Sequence, residues 1–134
     1  MSRAEVFAGV RDCLAAALDV EPGAVREEQR IIGDLGADSL DLLDLTFQLE
    51  RRFGVSISPR DIERRARERL GGAPLEADGV YTPEALAEIR KALPEVPAEE
   101  LPPGTAPADL PRRLRVATMV SLVCRLLEEK AQPQ

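Results

Sequence analysis

The chain contains no histidine and no tryptophan, and aromatic residues make up only 3% of its 134 positions. Without histidine, a serine–histidine hydrolase is excluded, because no imidazole exists to take a hydroxyl proton. The scarcity of aromatics favours aliphatic helix packing over a β-sandwich, since strands are enriched in aromatic and β-branched residues. Lysine occurs only as Lys91 and Lys130, and no glycine-rich loop ends in one, so a phosphate loop is absent. The two cysteines, Cys13 and Cys124, have no metal-ligand spacing. Both fall on apolar helix faces, as expected of small core hydrophobes in a reducing compartment. No apolar run reaches membrane-spanning length. The stretch MSRAEVFAGVRDCLAAALDV is broken by Glu5, Arg11 and Asp12 and reads as an amphipathic helix, not a signal peptide. These features together predict a cytoplasmic protein with no membrane span.

What is present is a small, acidic, aliphatic chain. Hydrophobic residues make up 44% and charged residues 31%, and the formal net charge is −6. This length suits a single domain. A negative chain is poorly matched to nucleic acid, whose phosphates require a basic surface. The negative charge is concentrated: between Asp34 and Glu50 there are five acids and no base. A basic partner surface is the natural complement.

Periodicity predicts a first helix over residues 2–18, with Val6, Phe7, Val10, Leu14 and Leu18 at helical spacing. A long loop follows, pinned by Val25, Ile31, Ile32 and Leu35. A second helix is expected from Ser39 to Phe53, stopped by Gly54. Ser58 is expected to cap a third helix with Pro59 at its first position and Asp61 three residues on. That helix, PRDIERRARERL, carries five arginines against three acids, which reads as a solvated face, with a basic docking face as the alternative. Residues 71–112 hold eight of the eleven prolines. Within them Thr82-Pro83-Glu84 begins a helix over 83–93, with Ala85, Leu86, Ile89 and Leu93 on one stripe. PAEEL reads as one further turn and PPGTAPADLP as rigid connector. From Val116 a last helix is expected, with Val116, Met119, Val120, Val123 and Leu127 on one face and AQPQ as a frayed tail.

The stretch GDLGADSLDLLD, residues 33–44, concentrates the chemistry. Ser39 stands at a helix start among carboxylates, and serine there is a favoured N-cap. Carboxylates spread along an exposed helix face are poor acid–base catalysts. A calcium loop is excluded because Gly36 and Leu40 occupy ligand positions, and no metal site is expected. A helix N-terminus does stabilise anions through free N–H groups, so a phosphodiester on Ser39 is well placed there. Projected at 100° per residue, the second helix turns Leu42, Leu45, Leu49 and Phe53 to the core. Leu40, Leu43 and Phe47 form a second apolar patch beside Ser39.

These residues resemble the acyl carrier proteins. DLGADSLD is similar to the attachment motif in which the serine after Asp carries 4'-phosphopantetheine. The order of first helix, long loop with DVEPGAV, acidic second helix and RRFGVSIS follows the same family, over residues 1–70 and 113–130. The resemblance implies an all-α fold: an acyl-carrier-like four-helix bundle forming one domain, with a Pro-rich, partly helical insertion at 71–112 before the last helix. It implies that Ser39 is the attachment site and that the chain is not an enzyme. A phosphopantetheinyl transferase loads it, and it carries acyl groups as thioesters for fatty-acid or lipid biosynthetic enzymes with basic surfaces. Asp38, Leu40, Asp41, Leu43, Asp44, Phe47 and Glu50 match the family's partner-facing positions. A monomer is expected.

Two departures bear on partner choice. Arg51 and Arg52 fall where the family often has acids. The insertion has no counterpart in ordinary carriers, though specialised carriers for very long acyl chains in lipid A synthesis are similar around DSLDLLDLTF and also lengthen this region. Other readings stay open on the residues alone: a peptidyl or polyketide carrier, an unmodified adaptor with the carrier fold, and, remotely, an enzyme acting through Ser39.

Overall fold

The computed structural model describes residues 1–57 and 61–131. Among these the α-helices are α1 (Arg3–Leu18), α2 (Ser39–Phe53), α3 (Asp61–Leu70), α4 (Pro83–Ala92), α5 (Leu110–Arg113) and α6 (Val116–Ala131). The all-α expectation stands, with one departure: β1 (Glu76–Ala77) and β2 (Val80–Tyr81) form a short antiparallel hairpin. The chain divides into two compact units, Met1–Ile57 with Leu114 onward, and Ser58–Arg113.

The first unit is built on α1, which packs against both α2 and α6. Ser2 caps α1: its hydroxyl accepts from the Glu5 N–H at 3.2 Å while the Glu5 carboxylate accepts from the Ser2 N–H at 3.0 Å. Two of the helix's otherwise unpaired N–H groups are thereby satisfied. Val6, Val10, Cys13 and Leu14 are buried on one side of α1. On α2 the expected core face is observed, with Leu45, Leu49 and Phe53 buried and Leu42 half-buried. Gly9 is where α1 meets α2: a Cβ there would stand 2.4 Å from the tip of the Phe53 ring. On α6, Val116, Met119, Val120 and Val123 are buried as the spacing predicts, and Leu127 is half-buried. Gly54 takes the left-handed conformation that ends α2, and the Lys130 ammonium donates to its carbonyl at 2.7 Å. The Cys13 thiol is pushed above its ordinary value by burial, so its thiolate form is suppressed.

The second unit has α3 against α4. The expected cap at Ser58 and Pro59 lies outside the described residues, as do the last three residues of the tail. Thr82 caps α4, its hydroxyl accepting from the Ala85 N–H at 3.1 Å, with Pro83 at the first helical position. The stripe of Ala85, Leu86, Ile89 and Leu93 is buried throughout. Leu75, Tyr81, Val96, Leu101 and Leu110 are buried in the same unit.

The expected connector PPGTAPADLP is instead compactly folded. It contains a 3-10 turn at Pro107–Asp109 and runs into α5. Thr105 is buried, and its carbonyl accepts from the Tyr81 N–H at 2.9 Å. Arg90 donates twice to the Leu101 carbonyl, and Arg113 donates to that of Glu100 at 2.8 Å. Local composition read these prolines as a spacer. Long-range backbone pairing, invisible to composition, folds them in. PAEEL does form one turn, at Ala98–Glu100. The hairpin turns on Asp78-Gly79, both with positive φ (56° and 83°), as a two-residue type I′ turn requires. The Tyr81 hydroxyl then donates to the Glu63 carboxylate of α3 at 2.7 Å.

Candidate functional site

The start of α2 is set by the loop before it. The Ile31 N–H donates to the Leu114 carbonyl, and the Ala37 N–H donates back to the Ile31 carbonyl. Ile31 and Ala37 are buried, so the turn between them closes on apolar anchors. Gly36 turns it with φ of 77°, a conformation costly for other residues. Asp34 ties the base of the turn: its carboxylate accepts from the Arg30 N–H at 2.8 Å, with the Arg30 guanidinium 3.5 Å away. The backbone hydrogen bond, aided by that guanidinium, holds the Asp34 carboxyl below its ordinary value. Residues 27–29 are also fastened to the start of α6, through Val116 N–H to Gln29, Ala117 N–H to Glu27 and the Arg115 guanidinium to the Glu28 carbonyl.

This turn delivers Asp38, not Ser39, to the N-cap. The Asp38 carboxylate accepts from the Asp41 N–H at 2.8 Å, and the Asp41 carboxylate accepts from the Asp38 N–H at 3.0 Å. The expectation that Ser39 caps the helix is therefore corrected. The spacing D-x-x-D in DSLD is itself the sequence sign of a reciprocal cap, and the cap falls on the first of its two acids. Ser39 becomes the first helical residue. It is exposed, and among the described residues no hydrogen bond engages its hydroxyl. A free hydroxyl at an exposed helix start, with the N–H groups of Ser39 and Leu40 left over by the reciprocal cap, suits a covalently attached phosphate.

The other acids are less uniform than their spacing implies. Glu50 is half-buried and accepts from the Ile57 N–H at 2.7 Å, holding the link that leaves α2. Asp44 is exposed and accepts from the Gln48 side chain at 3.1 Å. So Asp34, Asp38, Asp41 and Glu50 each do local structural work as well as carrying charge. That work was legible for Asp38 and Asp41, but not for Glu50, whose partner lies seven residues on.

The second apolar patch is at the surface. Leu40 is 75% exposed, Leu43 44% and Phe47 54%. No other large hydrophobic residue among those described, apart from Met1, is so exposed, and a cluster of this kind marks a contact surface. Among the described residues no group of His, Cys, Asp and Glu is placed to hold a metal. No helix among them is long and apolar enough to cross a membrane.

Comparison with known proteins bears on the same stretch of the chain. Residues 8–66 match the family model described as a phosphopantetheine attachment site. The chain is 44% identical over 63 residues to an acyl carrier protein of Thermotoga maritima, an alignment covering 47% of this chain and 78% of that relative. It is 47% identical over 60 residues to an acyl carrier protein of Campylobacter hominis, covering 45% and 76%. A third, from Campylobacter curvus, is 48% identical over 59 residues, covering 44% and 77%.

Proposed function

The chain belongs to the acyl carrier protein family, whose members are carriers and not enzymes and hold 4'-phosphopantetheine covalently, and from that premise we propose that Ser39 is its attachment site. The observation that carries this reading is the division of labour at the start of α2. Asp38 and Asp41 hold the helix end through each other's backbone, which leaves the exposed Ser39 hydroxyl free to be modified. The bound group supplies a terminal thiol, which holds an acyl chain as a thioester. The N–H groups of the first turn stabilise the phosphodiester, and exposure keeps the arm in solvent. A phosphopantetheinyl transferase provides the activation that a chain without histidine lacks.

The loaded carrier delivers acyl intermediates to fatty-acid or lipid biosynthetic enzymes in the cytoplasm. Leu40, Leu43 and Phe47 form the apolar centre of its docking face, with Asp38, Asp41, Asp44 and Glu50 directing basic partners to it. Incubation with a transferase and coenzyme A, followed by intact mass measurement, tests the assignment. One phosphopantetheinyl addition is expected on the native chain and none on Ser39→Ala. Absence of any addition to the native chain favours an unmodified adaptor instead.

A further inference from the structure

We propose that Arg51 sets the specificity of the α2 docking face, favouring partners with a carboxylate opposite it and disfavouring partners that are basic along the whole contact. The inference rests on the reading of Ser39 and α2 given above, and adds a residue of opposite sign to that surface.

At 100° per residue, Leu40, Asp44, Phe47 and Arg51 fall within about 60° of one another and form a single stripe. All four are exposed. Along that stripe apolar and charged groups alternate, Leu40, the Asp44 carboxylate, Phe47 and then the Arg51 guanidinium, with the Ser39 hydroxyl just before its start. At 1.5 Å per residue, Arg51 lies about 18 Å along the axis from Ser39 and about 10 Å from Asp44. That separation is at or beyond the screening length at physiological salt, about 8 Å. The two ends of the face therefore act as separate charges, and a partner meets them separately.

The helix dipole does not distinguish Arg51 from its neighbour. Basic residues in a last turn offset the helix dipole, but Arg52 also lies in the last turn of α2. The two arginines differ in what they face. Arg52 is turned about 100° away and pairs with Asp12 of α1 at 3.5 Å, so its charge is partly answered within the first unit. Arg51 has no ion pair among the described residues. A cation left unanswered on the exposed apolar stripe repels a basic surface and attracts an acidic one, which is how interfaces discriminate by exclusion. The complementary partner has basic side chains where Ser39 is served, an apolar socket for Leu40, Leu43 and Phe47, and an acid about 6 Å beyond the Phe47 end of that socket.

The test uses the full chain, coenzyme A and a phosphopantetheinyl transferase whose docking surface is basic throughout. Arg51→Glu is expected to raise kcat/KM for loading about three- to tenfold at low salt, through KM, with Arg51→Gln between it and the native chain. The gain is expected to vanish near 1 M salt. Arg52→Glu serves as the control for net charge and is expected to change loading less than twofold. An unchanged or slower Arg51→Glu overturns the proposal, as does an equal effect of Arg52→Glu, which would report overall charge alone. Ser39→Ala separates the two readings: if it still loads, the site assignment fails, whereas lost loading alongside an inert Arg51 removes only the inference about specificity.

Discussion

Asp38 and Asp41 cap α2 through each other's backbone: each carboxylate accepts the other residue's N–H, at 2.8 and 3.0 Å. Two acids at the start of an acidic helix would otherwise only repel each other and an incoming phosphate. Here their negative charge lies at the positive end of the helix dipole, and their hydrogen bonds satisfy two otherwise unpaired N–H groups.

Because Asp38 is the cap, Asp38→Ala is expected to cost about 1 kcal/mol, while Asp38→Asn keeps an accepting oxygen and costs little. Ser39→Ala removes no cap and should stay within about 0.5 kcal/mol of the native chain. Urea unfolding of the three variants checks this ordering, and a Ser39→Ala loss as large as that of Asp38→Ala would contradict it.

Gly9→Ala places a methyl 2.4 Å from the Phe53 ring tip and 2.9 Å from the Arg52 guanidinium. The better helix propensity of alanine offsets about 1 kcal/mol, but overpacking typically costs about 1–3 kcal/mol. A net loss is expected, read as a lower thermal midpoint. Smaller losses for alanine at exposed helix positions provide the baseline.

Asp44→Lys is the cleanest reversal on the acidic end of α2, because among the described residues Asp44 makes only a side-chain contact, with Gln48. It is expected to slow loading by a basic transferase several-fold at low salt, with little loss of stability. Asp41→Lys should slow loading and also weaken the cap, so its effect combines both. Loading rates that ignore both salt and Asp44→Lys would rule out electrostatic steering.

The Asp34 carboxyl is held below its ordinary value by the Arg30 N–H and guanidinium. A depressed folded-state value gives stability that is full above the unfolded-state value, about 3.9. That stability is lost as pH falls through the folded-state value. Asp34→Asn should therefore be less stable than the native chain near neutrality and converge with it in strong acid. Parallel acid-unfolding curves with a constant offset would refute the linkage.

Tyr81→Phe removes a buried hydroxyl that donates to Glu63 at 2.7 Å. It is expected to cost about 1–2 kcal/mol, with faster hydrogen exchange in α3 and the hairpin. Burial first, and the Glu63 carboxylate next, push the phenol upward. The native tyrosine should thus stay protonated in the folded state above pH 10, and stability should begin to fall as pH rises past the unfolded-state value of about 10. An ultraviolet titration with an ordinary tyrosine midpoint in the folded protein would contradict this.

How much of this was readable beforehand depended on the range of the interactions. Helix α2 carries its own signals: apolar period, an acid cap and Gly54 at its end, so its span Ser39–Phe53 matches the expectation at both ends. Helix α4 is similar, announced by Thr82 and Pro83. The identity of the cap was local too, written in Asp38 and Asp41, but serine's own capping preference obscured it. The hairpin at 76–81 has a local signal in Asp78-Gly79, but with only two paired residues on each side it shows no strand periodicity. By contrast, the pairing of Tyr81 with Thr105, and of Ile31 with Leu114, spans distances in sequence that no local pattern encodes.

The first unit holds in place the two residues between which the second is strung. The Ile57 N–H is fixed by Glu50 at the point of departure, and the Leu114 carbonyl by Ile31 at the point of return. With both ends fastened, the entropy of closing the intervening chain grows only logarithmically with its length, about 0.6 kcal/mol for each doubling. Lengthening that segment is thermodynamically cheap for the first unit. Natural variation and deliberate grafting alike have freedom there that the helices around Ser39 do not.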